Sequence, residues 1–264
     1  MLPPPAHRPR IRRTSRTLAA LAAMAALLSV NMPDAEAVPP LGVTAQALPD
    51  ETANRVGPLF AGSLSGGHFC TAAVVHSDGR DVIATAAHCL GDPQNTYFAP
   101  GYRDGSAPYG VWRLTGAYLA PQWTAGQDPD ADVAFATVVP VGDGQGGDGP
   151  GGDGHGASVE DAVGGFPVAA EQAADAAVTI VGYPSTEDTP LRCANTTALY
   201  SDSQRRIDCP DLSGGTSGSP WLVGGAVAGV LGGYEGGGSD PDVSYSAVMG
   251  DQAVELYREA ADAD

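Results

Sequence analysis

The stretch ATAAHC, residues 84–89, ends an apolar run with a histidine and a cysteine side by side. It belongs to the strand-like segment DVIATAA, residues 81–87, so the sequence predicts a buried strand that carries His88 at its rim. Cys89 can fix the turn that follows. A single histidine in such a place is more often a structural hydrogen-bonding residue than a catalyst, so its role depends on the rest of the chain.

Strand-like segments of this kind recur along the 264 residues and are separated by turn residues, since the chain has 36 glycines and 22 prolines. Their spacing is typical of antiparallel strands and not of βαβ units. The segments are 56–60, 68–75, 81–87, 109–114, 131–139, 177–184, 196–202, 205–209, 220–225, 226–234 and 243–249. The sequence therefore predicts an all-β protein, with one helix in residues 251–264 at the carboxyl end.

The first 37 residues have the pattern of a signal peptide. Five arginines precede the apolar segment Leu18–Val30, and Ala35-Glu36-Ala37 supplies a small-x-small cleavage site. The apolar segment is shorter than the roughly 20 residues that a membrane-spanning helix needs. We therefore expect a secreted, extracellular protein with no membrane attachment after cleavage, and the pair Arg12-Arg13 leaves the twin-arginine route open beside ordinary secretion.

The charge of the chain excludes one class of partner. Removal of residues 1–37, which hold five arginines and two acids, would take the formal net charge from −18 to −21. Proteins bind the nucleic-acid backbone with cationic side chains that displace counterions, so we expect no nucleic-acid partner. Solubility is the simplest consequence of such a charge.

Four cysteines in an oxidising compartment predict two disulfides, although four allow three connectivities. We choose nearest-neighbour pairing, which joins Cys70 to Cys89 and Cys193 to Cys209. A zinc site is the alternative, but the chain has no C-x-x-C spacing and only His88 stands next to a cysteine. We expect no metal and no other cofactor.

Two polar segments divide the chain. Residues 38–55 are polar and Pro-rich, as in a mobile leader or propeptide. Residues 142–156 read GDGQGGDGPGGDGHG, typical of a disordered surface loop; a calcium-binding repeat would carry regularly placed apolar residues. The predicted organisation is a signal peptide, a leader, a first β-rich half, a linker and a second β-rich half with the helix, at residues 1–37, 38–55, 56–139, 140–165 and 166–264.

Two further residues could work with His88. Asp132 leads directly into an apolar run, where a carboxylate needs a partner such as an imidazole N–H. Ser217 lies in SGGTSGSP, residues 213–220, whose glycines let the N–H groups of Gly215 and Ser217 point together at an oxyanion. A serine hydroxyl needs a histidine to take its proton and a carboxylate to orient that histidine.

Together these segments resemble the signatures of the chymotrypsin-like, trypsin-fold serine peptidases. HFC at 68–70, TAAHC at 85–89, DVAF at 132–135 and GTSGSP at 215–220 follow that family's order, histidine, aspartate, serine. The resemblance implies two six-stranded antiparallel β-barrels of Greek-key topology with a carboxy-terminal helix. It also implies a secreted, monomeric serine endopeptidase that acts on polypeptides through an acyl-enzyme.

The resemblance assigns a role to each candidate residue. His88 would be the general base and later the acid, Asp132 its orienting carboxylate, and Ser217 the nucleophile. Gly215 and Ser217 would donate the oxyanion-hole N–H groups. The pair of Cys70 and Cys89 matches the disulfide that closes the family's histidine loop.

Two features depart from the digestive members of that family. Their nucleophile follows an aspartate that pairs with a newly released amino terminus, whereas here the preceding residue is Thr216. RVGPLF at 55–60 lies too close to Cys70 for an activation site, and we interpret it as the first barrel strand. The chain is more similar to the bacterial branch that includes glutamyl endopeptidases, which it resembles at VGPLF, GYP (182–184) and SGSP (217–220).

Specificity and the strength of catalysis stay open at this point. Asp211 stands where trypsin-like relatives bind Arg or Lys at P1, and a solvated turn residue is the alternative. Gly232 and Gly233 are expected to admit the substrate backbone, while Tyr234 could partly fill the pocket. A catalytically weak homologue that binds peptide or cell-surface material is the other function, and the order of the three residues disfavours a non-peptidase acyl hydrolase.

Overall fold

The computed structural model describes residues 40–142, 158–170 and 175–263. Among these residues, the strands are β1 (Val43–Gln46), β2 (Val56–Ala61), β3 (His68–Val74), β4 (Val82–Thr85), β5 (Thr96–Phe98), β6 (Trp112–Leu119), β7 (Ala134–Pro140), β8 (Ala177–Gly182), β9 (Leu191–Thr196), β10 (Ala198–Leu199), β11 (Gln204–Asp208), β12 (Pro220–Val223), β13 (Ala226–Val230) and β14 (Val243–Ala247). The helices are α1 (Glu51–Asn54), α2 (Pro121–Gly126), α3 (Val159–Val163) and α4 (Asp251–Ala261). The predicted signal peptide lies outside the described residues, as does the predicted loop 142–156 apart from its first residue.

The first half forms a closed barrel of six antiparallel strands in the order β2-β3-β4-β7-β6-β5. The barrel closes because β2 pairs with β3 on one side and with β5 on the other. Leu59, Ile83, Phe98, Leu114 and Phe135 are all fully buried in its core. Such β-branched, aliphatic and aromatic side chains suit a pleated strand buried on one face. The predicted first barrel is thus confirmed, with β5 as a strand that the sequence pattern did not reveal.

The second half differs from the predicted six-stranded barrel, because its strands form two sheets. One sheet has the order β1-β9-β8-β12-β13 and the other β10-β11-β14. The chain turns sharply after β13 at Gly233, whose φ of +79° suits glycine. β13 and β14 are not neighbours in either sheet. A hydrogen bond from Gly232 N–H to Tyr245 O and the disulfide Cys193–Cys209 nevertheless connect the sheets around a shared apolar core.

The segment predicted as a mobile leader, residues 38–55, is part of the fold from β1 onward. β1 pairs with β9, and the carboxylate of Asp50 accepts from Ala53 N–H at the start of α1. Asp50 also forms an ion pair with Arg192 at 2.8 Å, and this hydrogen-bonded guanidinium lowers the pKa of Asp50. The expectation of a mobile segment is therefore wrong for these residues, and removal as a propeptide stays a prediction.

Helices cover the first barrel. α3, which lies inside the predicted linker, is capped by Ser158 and buries Val159. α4 packs against β6 and β7 through the residues it buries, Ala253, Leu256 and Ala260. Their spacing of three and four places them on one helical face, and Gly250 is the N-cap. Of the helices in the described ranges, none is both long and apolar enough to cross a membrane.

Candidate active site

His88 and Asp132 come together because of the register between two neighbouring strands. β4 and β7 run antiparallel with Thr85 opposite Ala134, so the end of one strand meets the start of the other. His88 follows β4 in a short 3₁₀ turn, Ala87–Cys89, and Asp132 precedes β7. The disulfide between Cys70 of β3 and Cys89 holds that turn against the barrel. The pairing of all four cysteines is the nearest-neighbour one.

The carboxylate of Asp132 is buried, with 1% of the residue exposed, and accepts three N–H groups. Oδ1 accepts the backbone N–H of His88 at 2.9 Å, and Oδ2 lies 2.7 Å from Nδ1 of the same residue. Oδ2 also accepts the backbone N–H of Gly233 at 2.8 Å. A carboxylate in this position orders Nδ1–H as the donor and leaves Nε2 of His88 as the proton acceptor. The ring keeps about a quarter of its surface exposed, with its side chain at 27%.

Ser217 belongs to a segment between the two halves that we call the serine loop, residues 213–219. Its backbone joins the first barrel, because Thr71 N–H of β3 donates to Ser217 O at 2.7 Å. Gly218 N–H donates to Leu231 O at 2.7 Å, just past β13. Within the described residues no hydrogen bond joins Ser217 Oγ to His88. Such catalytic hydrogen bonds are often long without substrate and tighten when it binds.

Three N–H groups of the serine loop have no intramolecular acceptor within the described residues: that of Gly214, which is exposed, and those of Gly215 and Ser217. The N–H of Gly215 shares its peptide group with the carbonyl of Gly214, which accepts Ser185 N–H at 2.8 Å. The N–H of Ser217 shares its peptide group with the carbonyl of Thr216, which accepts Ser219 Oγ–H at 2.6 Å. In a planar trans peptide the N–H points away from the C=O, so both of these N–H groups have a fixed direction. Gly215 has φ +98°, a conformation that favours glycine.

Thr216, which replaces the aspartate of the digestive relatives, is buried and stays within the serine loop. Its hydroxyl donates to Ser213 O at 2.6 Å, and its N–H donates to the same oxygen at 3.1 Å. Both groups close a tight turn at the residues that carry the free N–H groups. The loop is therefore held here by neutral hydrogen bonds, without an ion pair at Thr216.

The three predicted substrate-binding residues, Asp211, Gly232 and Gly233, lie in different environments. Asp211 is exposed in a turn with φ +66°, and its carboxylate has no hydrogen bond or ion pair in the part of the chain that the structure describes. Gly232 leaves its carbonyl free of described donors, whereas Gly233 uses its N–H on Asp132 instead of presenting it to a substrate. Tyr234 packs against Tyr200 and Tyr245 with ring centroids 4.9 and 5.1 Å apart, and 37% of it is exposed.

Sequence reasoning missed Trp123 and Ser219. The Trp123 ring in α2 lies 6.5 Å from the His88 ring, centroid to centroid, and forms an apolar wall beside it. Ser219 is fully buried, and its hydroxyl would collide with any side chain at Gly182, so Gly182 makes room for it. No periodic pattern marks Trp123, whereas the buried SGSP turn offered a signal for Ser219.

The residues around His88 do not form a metal site. Cys70, His88 and Cys89 place their potential ligand atoms within 4.8 Å of one another. Both sulfur atoms belong to one disulfide, so neither is the thiolate that a metal would require. The chemistry available at this site is that of the histidine, the carboxylate and the serine.

The closed first barrel, the pair of His88 and Asp132 at its rim and the serine loop bonded to β3 are features found in the chymotrypsin-like serine peptidases. No protein-family model and no curated protein sequence matches the chain, but solved structures do. Protease Anisep from Arthrobacter nicotinovorans is 25% identical with a TM-score of 0.67, over 84% of this chain and 100% of that one.

Two further solved structures are similar to the chain. The thermostable serine protease AL20 from an extremophilic microorganism is 27% identical with a TM-score of 0.67, over 81% of this chain and 100% of its own. A Glu endopeptidase, at 16% identity, shares the fold with a TM-score of 0.64 over 83% of this chain and 96% of that one. The chain is a serine-type peptidase with the chymotrypsin-like fold.

Proposed function

We propose that the chain is a secreted serine endopeptidase that hydrolyses peptide bonds through an acyl-enzyme on Ser217. The observation that carries the proposal is the pair of N–H groups on Gly215 and Ser217. Buried polypeptide rarely leaves N–H groups without an acceptor, and Gly215 is buried. Two fixed N–H groups beside a serine suit the oxyanion that forms when a hydroxyl attacks a carbonyl.

In this mechanism Nε2 of His88 takes the proton of Ser217 while Oγ bonds to the scissile carbonyl carbon. The carbonyl oxygen becomes an oxyanion and accepts the N–H groups of Gly215 and Ser217. Asp132 holds the ring and stabilises the imidazolium, which then gives the proton to the leaving amine. Water removes the acyl group by the same route in reverse, and Ser217 is regenerated.

The finer parts of the proposal concern substrate and location. The free carbonyl of Gly232 is placed to accept an N–H from a substrate backbone, and Trp123 offers an apolar surface next to His88. A preference for Arg or Lys at P1 depends on Asp211, whose carboxylate is exposed and unpaired within the described residues. Two disulfides support an extracellular location.

A catalytically weak homologue that binds peptides is the second candidate. The observation in its favour is the absence, within the described residues, of a hydrogen bond between Ser217 Oγ and His88. In such a protein the cleft would bind peptides while Ser217 stayed unreactive. Reactivity of Ser217 therefore separates the two candidates.

The test is treatment of the secreted protein with a fluorophosphonate, which reacts with activated serines, beside the variant Ser217→Ala. We expect stoichiometric labelling of the wild type, none of the variant, and hydrolysis of a mixed peptide library by the wild type alone. Peptide binding without labelling would favour the second candidate and overturn the proposed one.

A further inference from the structure

Thr71 of β3 connects the first barrel to the serine loop through two groups, its backbone N–H and its hydroxyl. It is fully buried. Its N–H donates to Ser217 O at 2.7 Å, and its hydroxyl donates to Gly215 O at 3.0 Å. The same hydroxyl accepts Tyr183 N–H at 2.9 Å, at the end of β8, and its carbonyl accepts the Thr85 hydroxyl at 2.8 Å.

The hydroxyl of Thr71 bonds to the carbonyl of Gly215, a buried glycine of the serine loop. Gly215 has no side chain to restrict its dihedral angles, and within the described residues the Thr71 hydroxyl is the one donor to its carbonyl. Rotation about the Cα–C bond of Gly215 would turn the peptide group between Gly215 and Thr216 relative to the N–H of Gly215. The hydrogen bond to Gly215 O therefore restrains the direction of the N–H of Gly215 relative to that of Ser217.

Two other carbonyls of the serine loop are held from within the second half, by Ser185 and Ser219. Thr71 differs because it belongs to the barrel that carries His88 and Asp132. The Thr71 hydroxyl thus relates the position of the N–H groups of Gly215 and Ser217 to the position of His88. Because it is uncharged, it can do so without the ion pair of the digestive relatives.

We propose that Thr71 is a positioning residue. Its hydroxyl holds Gly215 so that the N–H groups of Gly215 and Ser217 face an oxyanion, at a fixed distance from His88 of the first barrel. This inference rests on the proposed function. It predicts that loss of the hydroxyl impairs the chemical step and leaves substrate binding nearly unchanged.

The test compares Thr71→Val, which keeps the shape and removes the hydroxyl, with Thr71→Ser, which keeps the hydroxyl. The rate of fluorophosphonate labelling should fall in Thr71→Val by a factor between about 10 and about 1,000, the upper end being typical of losing an oxyanion donor outright. Thr71→Ser should stay within about threefold of the wild type. With a peptide that the wild type cleaves, kcat should fall while KM changes little.

Thr96→Val is the matched control for the loss of a buried threonine hydroxyl. Thr96 is buried in β5 of the same barrel, and its hydroxyl donates to Asp92 O at 2.7 Å, away from the serine loop. We expect this variant to label at the wild-type rate. Cooperative thermal unfolding is checked for every variant, and Thr71→Ala replaces Thr71→Val if the latter fails to fold, with the same predicted order against Thr71→Ser.

An unchanged rate in Thr71→Val, or an equally slow Thr71→Ser, would overturn the inference while the proposed function stands. A wild type that does not label at all would overturn the proposed function and this inference together.

Discussion

Gly233 donates its backbone N–H to Oδ2 of Asp132 at 2.8 Å, so the second half of the chain contributes a hydrogen bond to a carboxylate of the first. The same oxygen lies 2.7 Å from Nδ1 of His88. A buried carboxylate is stable only when N–H donors surround it. The orientation of His88 and the position of the segment after β13 therefore both depend on the carboxylate of Asp132.

Gly232→Ala tests how closely that segment must approach Asp132. A Cβ at Gly232 would lie 2.8 Å from Oδ2 of Asp132 and 3.2 Å from Cβ of Ala86, so the carboxylate has to move. We expect kcat/KM for a peptide substrate to fall by about 100-fold, as displacements of about 1 Å can do. Gly126→Ala is the control, since a Cβ there meets no atom within 4 Å. Full activity of Gly232→Ala would show that the close approach has no role.

The two disulfides should have similar effects on stability and different effects on catalysis. They join cysteines 19 and 16 residues apart, so replacing either pair by alanine should cost about 3 kcal/mol in the free energy of unfolding. The Cys70–Cys89 bond holds the turn of His88, so its loss should also reduce kcat about tenfold or more at a temperature where both variants are folded. Equal kcat values for the two variants would contradict this.

His68 should make stability depend on pH. Burial lowers its pKa, more than the hydrogen bond to Glu187 O and the nearby Asp188 raise it. Because the folded pKa lies below the unfolded value of 6.5, stability present above pH 6.5 is lost as the pH falls through the folded pKa. The free energy of unfolding should thus decrease from about pH 7.5 to about pH 5, and His68→Gln should lose less over that range. Parallel curves for the two proteins would refute this.

Asp211 should decide specificity if its exposed carboxylate meets the substrate. Cleavage sites in a mixed peptide library should then follow Arg or Lys, because paired charge-assisted hydrogen bonds select a cation. Asp211→Asn should abolish the preference, whereas Asp262→Asn, which removes an exposed acid just after α4, should not. A profile without Arg or Lys, unchanged in Asp211→Asn, would leave Asp211 as a turn residue.

The sequence predicts those features that short segments determine. The strands of the first barrel other than β5, the terminal helix and the segments around His88, Asp132 and Ser217 all have local signals, either apolar patterns or turn glycines. β1 and β9 have no such pattern, since VTAQ is mostly exposed and LRCANT alternates poorly. β1 becomes a strand through pairing with β9, and β9 pairs with both β1 and β8. β5 has three residues, too few for a period.

Long-range contacts explain what the sequence could not predict at the site. The Thr71 hydroxyl acts on a carbonyl 144 residues away, and Gly233 acts on a carboxylate 101 residues away. Neither contact follows from neighbouring residues. The second barrel was expected from resemblance alone, and the strands of this half instead form two sheets.

The most direct measurement of the central claim is the site of the fluorophosphonate adduct, found by peptide mapping and mass spectrometry of the labelled protein. We expect one adduct per chain, on the peptide that contains Ser217, and its loss after replacement of His88 by alanine. An adduct on a different serine, or no adduct on a folded protein, would show that Ser217 is not the nucleophile.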